Sequence, residues 1–464
     1  MKPIKKVKKI HFIGIGGAGM IGIAKVLLQK GYKISGSDIL DSADLKKLRK
    51  DGAKVFIGHS KENIKDTNLV VISSAIDKKN PELIQAKNES ITIIPRAEML
   101  GSIMIGYESV AVAGSHGKTS TTSMIAKIIS MANLSPTYVV GGKVLSSDKN
   151  SHLGDGKYII VEADESDGTF THLQPDVAVL TNINDDHLVH YDNSLEKLLD
   201  SFVMFAENVP FYGYMVINGD DKNVQKISKR ISRTQITFGE SKKNNYRINN
   251  INSKKGKQHF EIFDKRNKKS HKFVINLPGK HNVFNAAASI SVGLEERLPI
   301  NAIKKGIREY SGVGRRYEKH LIQIKSKQII LIDDYGHHPL EIESNINAYK
   351  EEFPNKKVCM IFQPHRFSRT AQLFEDFINA LKRTDLLILL DIYPASEKPI
   401  KGINSKIIEE TLKQNGHKDI TYVKNHNDIQ NIILKKKDEF DVLVTQGAGS
   451  ISNVCESLKN KWMN

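Results

Sequence analysis

Residues Ser109–Ser123 read SVAVAGSHGKTSTTS. Val110–Ala113 has the apolar run of a short buried strand, Gly114-Ser115-His116-Gly117-Lys118-Thr119 is a tight loop, and the Thr/Ser-rich residues after it open a helix ending near Met131. Strand, loop and helix in that order make a phosphate-binding device. Glycine lets backbone N–H groups approach anionic oxygens, the helix start adds the positive end of its dipole, Lys118 neutralises charge, and the Thr119 hydroxyl reaches a magnesium ion. The commonest nucleotide loop would need a glycine where Val112 stands, so this is the shorter G-x-x-G-K-[ST] form. An α/β domain built around a nucleotide triphosphate follows.

Working outward, the 464 residues provide for about three domains at roughly 150 residues each. A hydrophobic content of 39% with 26% charged residues fits a globular protein. No apolar run approaches the ~20 residues that span a bilayer, and the basic start, Met1–Lys9, leads into Gly-rich rather than signal-like sequence. The expectation is a cytoplasmic enzyme without membrane insertion. Cys359 and Cys455 fall in an apparent strand and helix without metal-ligand spacing, which argues against a disulfide framework. The net charge of +17 invites a nucleic-acid reading, but the lysines are scattered. Their densest run, Lys242–Lys272, lacks the interleaved aromatics that stack bases, so the excess reads as solvated surface.

Upstream, Val7–Ile13 is an apolar strand running into Gly14-Ile15-Gly16-Gly17-Ala18-Gly19 and then a helical pattern through Ile21, Ala24, Leu27 and Leu28. This is G-x-G-x-x-G in its proper setting: the first glycine turns the chain, the second admits a diphosphate, and the third lets helix and strand pack closely. A second strand, Tyr32–Ser37, delivers Asp38 where a Rossmann domain bonds a ribose hydroxyl. Alone, this predicts an NAD-dependent oxidoreductase. The triphosphate loop that follows makes the diphosphate of a nucleotide-sugar substrate the competing occupant. Strands near Lys54–Ile57, Leu69–Ile72 and Ile91–Ile94 complete a small α/β domain. His59 and Ser73 follow two of those strand ends, where open sheets collect ligands. His59 reads equally as a phosphate contact or an ordinary surface histidine.

Downstream, the strand Tyr158–Ala163 carries Glu162 near its carboxyl end, and Val177–Leu180 ends in Thr181-Asn182-Ile183-Asn184-Asp185-Asp186-His187. Thr119 with Glu162 is a sensible magnesium pair, since a hard cation bridging phosphates takes oxygen ligands, and His187 is a candidate for a second ion. Asp164, Glu165 and Asp167 read more simply as a solvated acidic turn. The Lys-rich stretch alternates enough to suggest a peripheral β-meander, and a helix is expected over Asn285–Glu296, with Asn282 before it as either its cap or a contact to an adenine edge. Gly312–Tyr317 reads as a hinge. Beyond it strands and helices alternate in a second Rossmann-like sheet whose strand ends carry Asp333–Pro339, Gln363–Arg366, Arg369 and Asp391–Pro394. Arg366 and Arg369 suggest a fork for a carboxylate, and adjacent His337 and His338 would diverge if the strand continued, against a two-histidine metal site. The expected domains are 1–107, 108–317 and 318–464. An ATP site flanked by a diphosphate loop and carboxylate-binding arginines suggests amide formation through an acyl phosphate.

The ordered set HFIGIGGAGM, GSHGKTS, EADESDGTF, TNINDDH, GKHNVFNAAAS, GVGRRYE, DDYGHHP, QPHRFSR and DIYPASE, spread over nearly the whole chain, resembles the Mur ligase family. The resemblance implies three α/β domains: an N-terminal Rossmann-like domain, a central P-loop ATPase domain and a C-terminal Rossmann-like domain. It implies ATP-dependent joining of L-alanine to the carboxylate of UDP-N-acetylmuramate, with the nearest variant adding a recycled peptide to the same sugar. Carried over residue by residue, Gly16, Gly17, Ala18, Gly19 and Asp38, with His59 and Ser73, would hold the UDP-sugar, displacing the NAD reading. Gly114, Ser115, His116, Gly117, Lys118, Thr119 and Ser120 would bind ATP phosphates, Asn282 would meet adenine, Thr119 and Glu162 one Mg2+, and His187 a second. Tyr335, His337, Arg366 and Arg369 would position L-alanine with its amine toward the acyl phosphate, and Lys118, His187 and His337 would be catalytic. Small-molecule substrates, no nucleic acid, and a monomer or weak homo-oligomer complete the expectation.

Overall fold

The computed structural model describes residues 7–463 apart from 147, 148, 187 and 396. It divides into two compact units, one of Met1–Ile251, His259–Ile275 and Asn282–Ser311, the other of Asn252–Gln258, Asn276–His281 and Gly312–Asn464. Three sheets organise them.

The first sheet holds Lys9–Ile13, Lys33–Asp38, Lys54–Ile57, Leu69–Ile72 and Thr92–Pro95, all parallel, in the order 3-2-1-4-5 counted along the chain. The order reverses between Lys9–Ile13 and Leu69–Ile72, so the loop after the first strand and Ser73 after the fourth meet at the crevice. Helix Ala18–Gln29 follows the first strand and buries Met20, Ile21, Ile23, Ala24 and Leu27.

The second sheet has ten strands. Glu108–Ala113 lies inside it, parallel to Val177–Leu180 on one side and Tyr158–Glu162 on the other. Parallel pairing brings the carboxyl ends of all three strands to one edge, which places the phosphate loop between Glu162 and Thr181. The sheet continues through Tyr214–Asn218 and Gln235–Gly239 to the three strands Tyr246–Lys254, Lys257–Asp264 and Lys269–Ile275. At the other side Thr137–Val144 and its antiparallel partner Lys149–His152 were not legible in the sequence, because Gly141 and Gly142 interrupt the first and the second is short and polar. Helix Lys280–Glu295 starts five residues before the expected position, so Asn282 lies inside its first turn and does not cap it.

The third sheet orders Glu318–Ile324, Lys327–Asp334, Val442–Gln446, Val358–Phe362, Leu386–Leu390 and Ile420–Val423. Only the first pair is antiparallel. The runs VCMIF, LLILL and VLVTQ are buried throughout, as parallel strands covered on both faces must be. The antiparallel edge strand was missed: its turn, Lys325-Ser326, has Lys325 at φ 53° with no glycine to announce it. After Arg366 the chain forms two short helices, Phe367–Gln372 and Phe374–Leu381, broken at Leu373. Cys359 and Cys455 are free and buried. Among the described residues no helix is long and apolar enough to cross a membrane.

Candidate active site

The phosphate loop is held in shape from the neighbouring strand end. The Ser115 N–H donates to the Asn182 carbonyl at 3.0 Å, the His116 N–H donates to Asn182 Oδ1 at 2.9 Å, and the Asn182 amide and Thr181 hydroxyl both donate to the His116 carbonyl, at 3.0 and 2.7 Å. Gly114 (φ 131°) and Gly117 (φ 82°) adopt backbone that L side chains rarely take. A Cβ on Gly114 would collide with Thr181 Oγ1, and one on Gly117 with Asn285 Oδ1. Both glycines are therefore required twice over, for conformation and for space. Lys118 opens helix Lys118–Met131, followed by Thr119 and Ser120 in the same first turn.

Lys118 Nζ donates to the Gly114 carbonyl at 2.7 Å, to the Ser115 carbonyl at 3.3 Å and to Glu165 Oε1 at 2.9 Å. Burial works against its charge, but the carboxylates of Glu165, Asp164 and Glu162 outweigh that and hold its pKa above the ordinary value. Lys118 stays cationic. Glu165 is pushed up to about 7, chiefly by its own burial, with Asp164 adding to the effect and Lys118 opposing it. The expected solvated acidic turn is thus corrected: Glu165 is buried against Lys118, while Asp164 and Asp167 face Arg96 at 3.3 and 3.8 Å. Nothing in the local pattern ADESDG distinguishes an exposed turn from one whose partners arrive from 47 and about 70 residues away.

Thr119 Oγ1 lies 3.1 and 3.0 Å from the two Glu162 oxygens, and the Gly141 N–H donates to Glu162 Oε2 at 2.8 Å. A hydroxyl and a carboxylate converging beside a phosphate loop form a hard-oxygen pair that fits Mg2+. Among the described residues no group of three or more His, Cys, Asp or Glu gathers for a metal, so water and phosphate oxygens would fill the remaining positions. His187 lies outside the described residues. Asn282 is buried in the first turn of its helix, three residues from Asn285, which backs Gly117.

In the first sheet, Gly14 (φ 81°) turns the chain beside Ser73, whose Cβ is 3.3 Å from where a Gly14 Cβ would stand. The Gly16 N–H donates to Asp38 Oδ2 at 2.9 Å, and the Leu40 N–H donates to Asp38 Oδ1 at 3.2 Å. Asp38, expected to meet a ribose, here braces the glycine loop. Gly17 precedes helix Ala18–Gln29 without a side-chain cap for the first amides. A Gly19 Cβ would meet Arg96 Nη1 at 2.9 Å, so the third glycine makes room for an arginine instead of for helix–strand contact. His59 is no ordinary surface histidine: its Nδ1 is 3.0 Å from Ser37 Oγ and 3.1 Å from the buried Glu82.

In the second unit, ring contacts run from Tyr335 to His337 (5.3 Å between centroids), His337 to His365 (5.4 Å) and His365 to Tyr393 (5.6 Å, nearly parallel). The Arg315 and Arg316 guanidinium groups lie over Tyr335 at 5.3 and 5.1 Å. Arg366 sits at φ 72°, ψ 135°, a conformation that belongs to glycine, and its N–H donates to the Tyr393 carbonyl at 2.8 Å. The two arginines have different protein partners. Arg366 is 3.9 Å from Glu397, whereas Arg369 is buried with Nη1 3.3 Å from His365 Nδ1. His337 and His338 part because His338 caps helix Pro339–Glu352, not through strand alternation. His365 and Tyr393, carried by the strand ends Gln363–Arg366 and Asp391–Pro394, belong to this cluster, although the sequence assigns them no individual role.

Sequence models described as Mur ligase family, catalytic domain, Mur ligase middle domain and Mur ligase, glutamate ligase domain match residues 9–108, 112–293 and 315–449 in turn. The chain belongs to the Mur ligase family. This Mur ligase is similar in structure to UDP-N-acetylmuramate-alanine ligase MurC from Thermotoga maritima, at 29% identity, TM-score 0.84 and 98% coverage of both chains. It shares its fold with a murein peptide ligase from Psychrobacter arcticus (18% identity, TM-score 0.73, 98% of both chains). It also shares the fold of the MurF ligase from Thermotoga maritima solved with ADP (16% identity, TM-score 0.62, 92% of this chain and 95% of that one). The family displaces the dinucleotide oxidoreductase suggested by Gly14–Gly19 alone.

Proposed function

We propose that this Mur ligase joins L-alanine to the carboxylate of UDP-N-acetylmuramate at the expense of ATP, a step of peptidoglycan synthesis. The observation that carries the reading is the end-to-end likeness to the Thermotoga maritima alanine ligase, at 29% identity and TM-score 0.84. We assign the sugar nucleotide to residues 1–107, ATP to 108–317 and the amino acid to 318–464. The reading supposes cytoplasmic nucleotide pools and a monomer or weak homo-oligomer.

The chemistry has two steps. The terminal phosphoryl group of ATP moves to a carboxylate oxygen and ADP leaves; the alanine amine then attacks the acyl carbon, and phosphate leaves with the carbon–oxygen bond. The buried cation of Lys118 and the backbone N–H groups in the first turn of helix Lys118–Met131 would offset the charge that gathers on the phosphoryl oxygens. Thr119 and Glu162 would hold Mg2+, which when bound draws charge off the phosphates. Asn182, bonded twice to His116, braces the loop. The Tyr335, His337, Arg366 and Arg369 cluster would take the amino acid, its guanidinium groups toward the carboxylate. Mass spectrometry of a reaction offering L-alanine and the tripeptide L-alanyl-γ-D-glutamyl-meso-diaminopimelate together tests this. The alanyl product should dominate; the tripeptide product alone would make the chain a peptide-adding ligase.

A further inference from the structure

Arg96 opens helix Arg96–Met104, directly after the edge strand Thr92–Pro95 of the first sheet. Its guanidinium lies along the first turn of helix Ala18–Gln29: a Cβ on Gly19 would stand 2.9 Å from Nη1, 3.1 Å from Cδ and 3.4 Å from Cζ. The other edge of the group faces the second sheet, where Nη2 is 3.3 Å from Asp164 and 3.8 Å from Asp167. One arginine thus stands between the glycine loop and the acidic turn that also neutralises the phosphate-loop lysine.

The placement is costly on one side. A cation beside the amino end of a helix meets the positive end of the dipole, an arrangement that is disfavoured until an anion enters between them. Asp164 and Asp167 compensate one edge of the guanidinium, and the missing side chain at position 19 lets the other edge lie against the end of the glycine loop.

We propose that Arg96 is a binding residue for the sugar-nucleotide diphosphate, held in place by Asp164 and Asp167 as positioning residues. The proposal rests on the sugar-nucleotide reading of the first domain. A planar guanidinium has donors along two edges, so it serves a phosphate oxygen on one while the carboxylates fix the other. Ordering the side chain beforehand spares the ligand that cost. The five-donor geometry also explains why glycine stands at position 19: an alanine methyl would displace the group that the diphosphate needs.

Calorimetric titration with UDP-N-acetylmuramate, UDP and uridine, without ATP, tests this in the full chain. Arg96→Ala should weaken UDP-N-acetylmuramate and UDP at least about tenfold and uridine less than about twofold, with Arg96→Lys recovering part of the loss. Asp167→Asn should weaken UDP by roughly threefold through a less ordered arginine. Equal losses for UDP and uridine would mean that Arg96 merely staples the two sheets together, and unchanged UDP affinity would remove it from the site; either overturns the proposal. If Arg96→Ala does not fold, the UDP-against-uridine comparison is made with Arg96→Lys. A wild-type chain that binds none of the three ligands refutes the sugar-nucleotide reading itself, and the proposal with it.

Discussion

Replacing Glu82 by Gln should destabilise the first domain by an amount that depends on pH. The Glu82 carboxylate is buried, accepting from Ser37 Oγ at 2.5 Å and Asn63 Nδ2 at 2.6 Å, with His59 Nδ1 at 3.1 Å and His11 Nε2 at 3.8 Å. Burial alone would raise its pKa. The nearby His11 imidazole and the hydrogen bonds from Ser37 and Asn63 outweigh it and bring the carboxyl from 4.5 down to about 2. At about 1.36 kcal/mol per pH unit, that depression contributes about 3 kcal/mol to folding. Because the folded pKa lies below the unfolded one, the contribution is complete above pH 4.5 and is lost as pH falls toward 2. Amide exchange at Ile10–Ile13 and Val70–Val71 reads the opening of this sheet alone. Glu82→Gln should lower the opening free energy by about 3 kcal/mol at pH 7, and by roughly half that at pH 3. A deficit that is the same at both pH values, or absent at pH 7, would refute the ionised-carboxylate account.

Lys118→Ala should abolish turnover while leaving UDP-sugar affinity unchanged, by rate assay and calorimetry; full activity would remove the lysine from the phosphate site. Arg366→Ala should raise KM for L-alanine by at least about tenfold and leave KM for ATP within about twofold; an unchanged alanine KM refutes that role. Glu162→Gln should raise the magnesium concentration for half-maximal rate by about tenfold or more, since a neutral amide is a poorer ligand for a hard cation. An unaltered magnesium curve would take Glu162 out of the metal site.

The phosphate loop and the glycine fingerprint were readable because each compresses strand, turn and helix into a few residues with narrow conformational demands, as at Gly114 and Gly117. The third sheet was readable because VCMIF, LLILL and VLVTQ are continuous apolar runs. Strands whose identity depends on a distant partner were not: Glu318–Ile324 is defined by pairing with Lys327–Asp334, and Lys149–His152 by pairing with Thr137–Val144. The same holds for the site. Lys118, Thr119 and Glu162 announce themselves by motif, whereas Glu165, Arg96, His365 and Tyr393 acquire partners only when the sheets assemble. Asp38 shows a further limit, since nothing in its sequence position announces the bond its carboxylate accepts from the Gly16 N–H.

The most direct test of the ligase reading is phosphate release from ATP in the presence of magnesium, with UDP-N-acetylmuramate and L-alanine supplied separately and together. The account predicts release that requires both acids, in step with one amide bond per phosphate. Release that proceeds with the sugar nucleotide and ignores alanine, or no release under any combination, would contradict it.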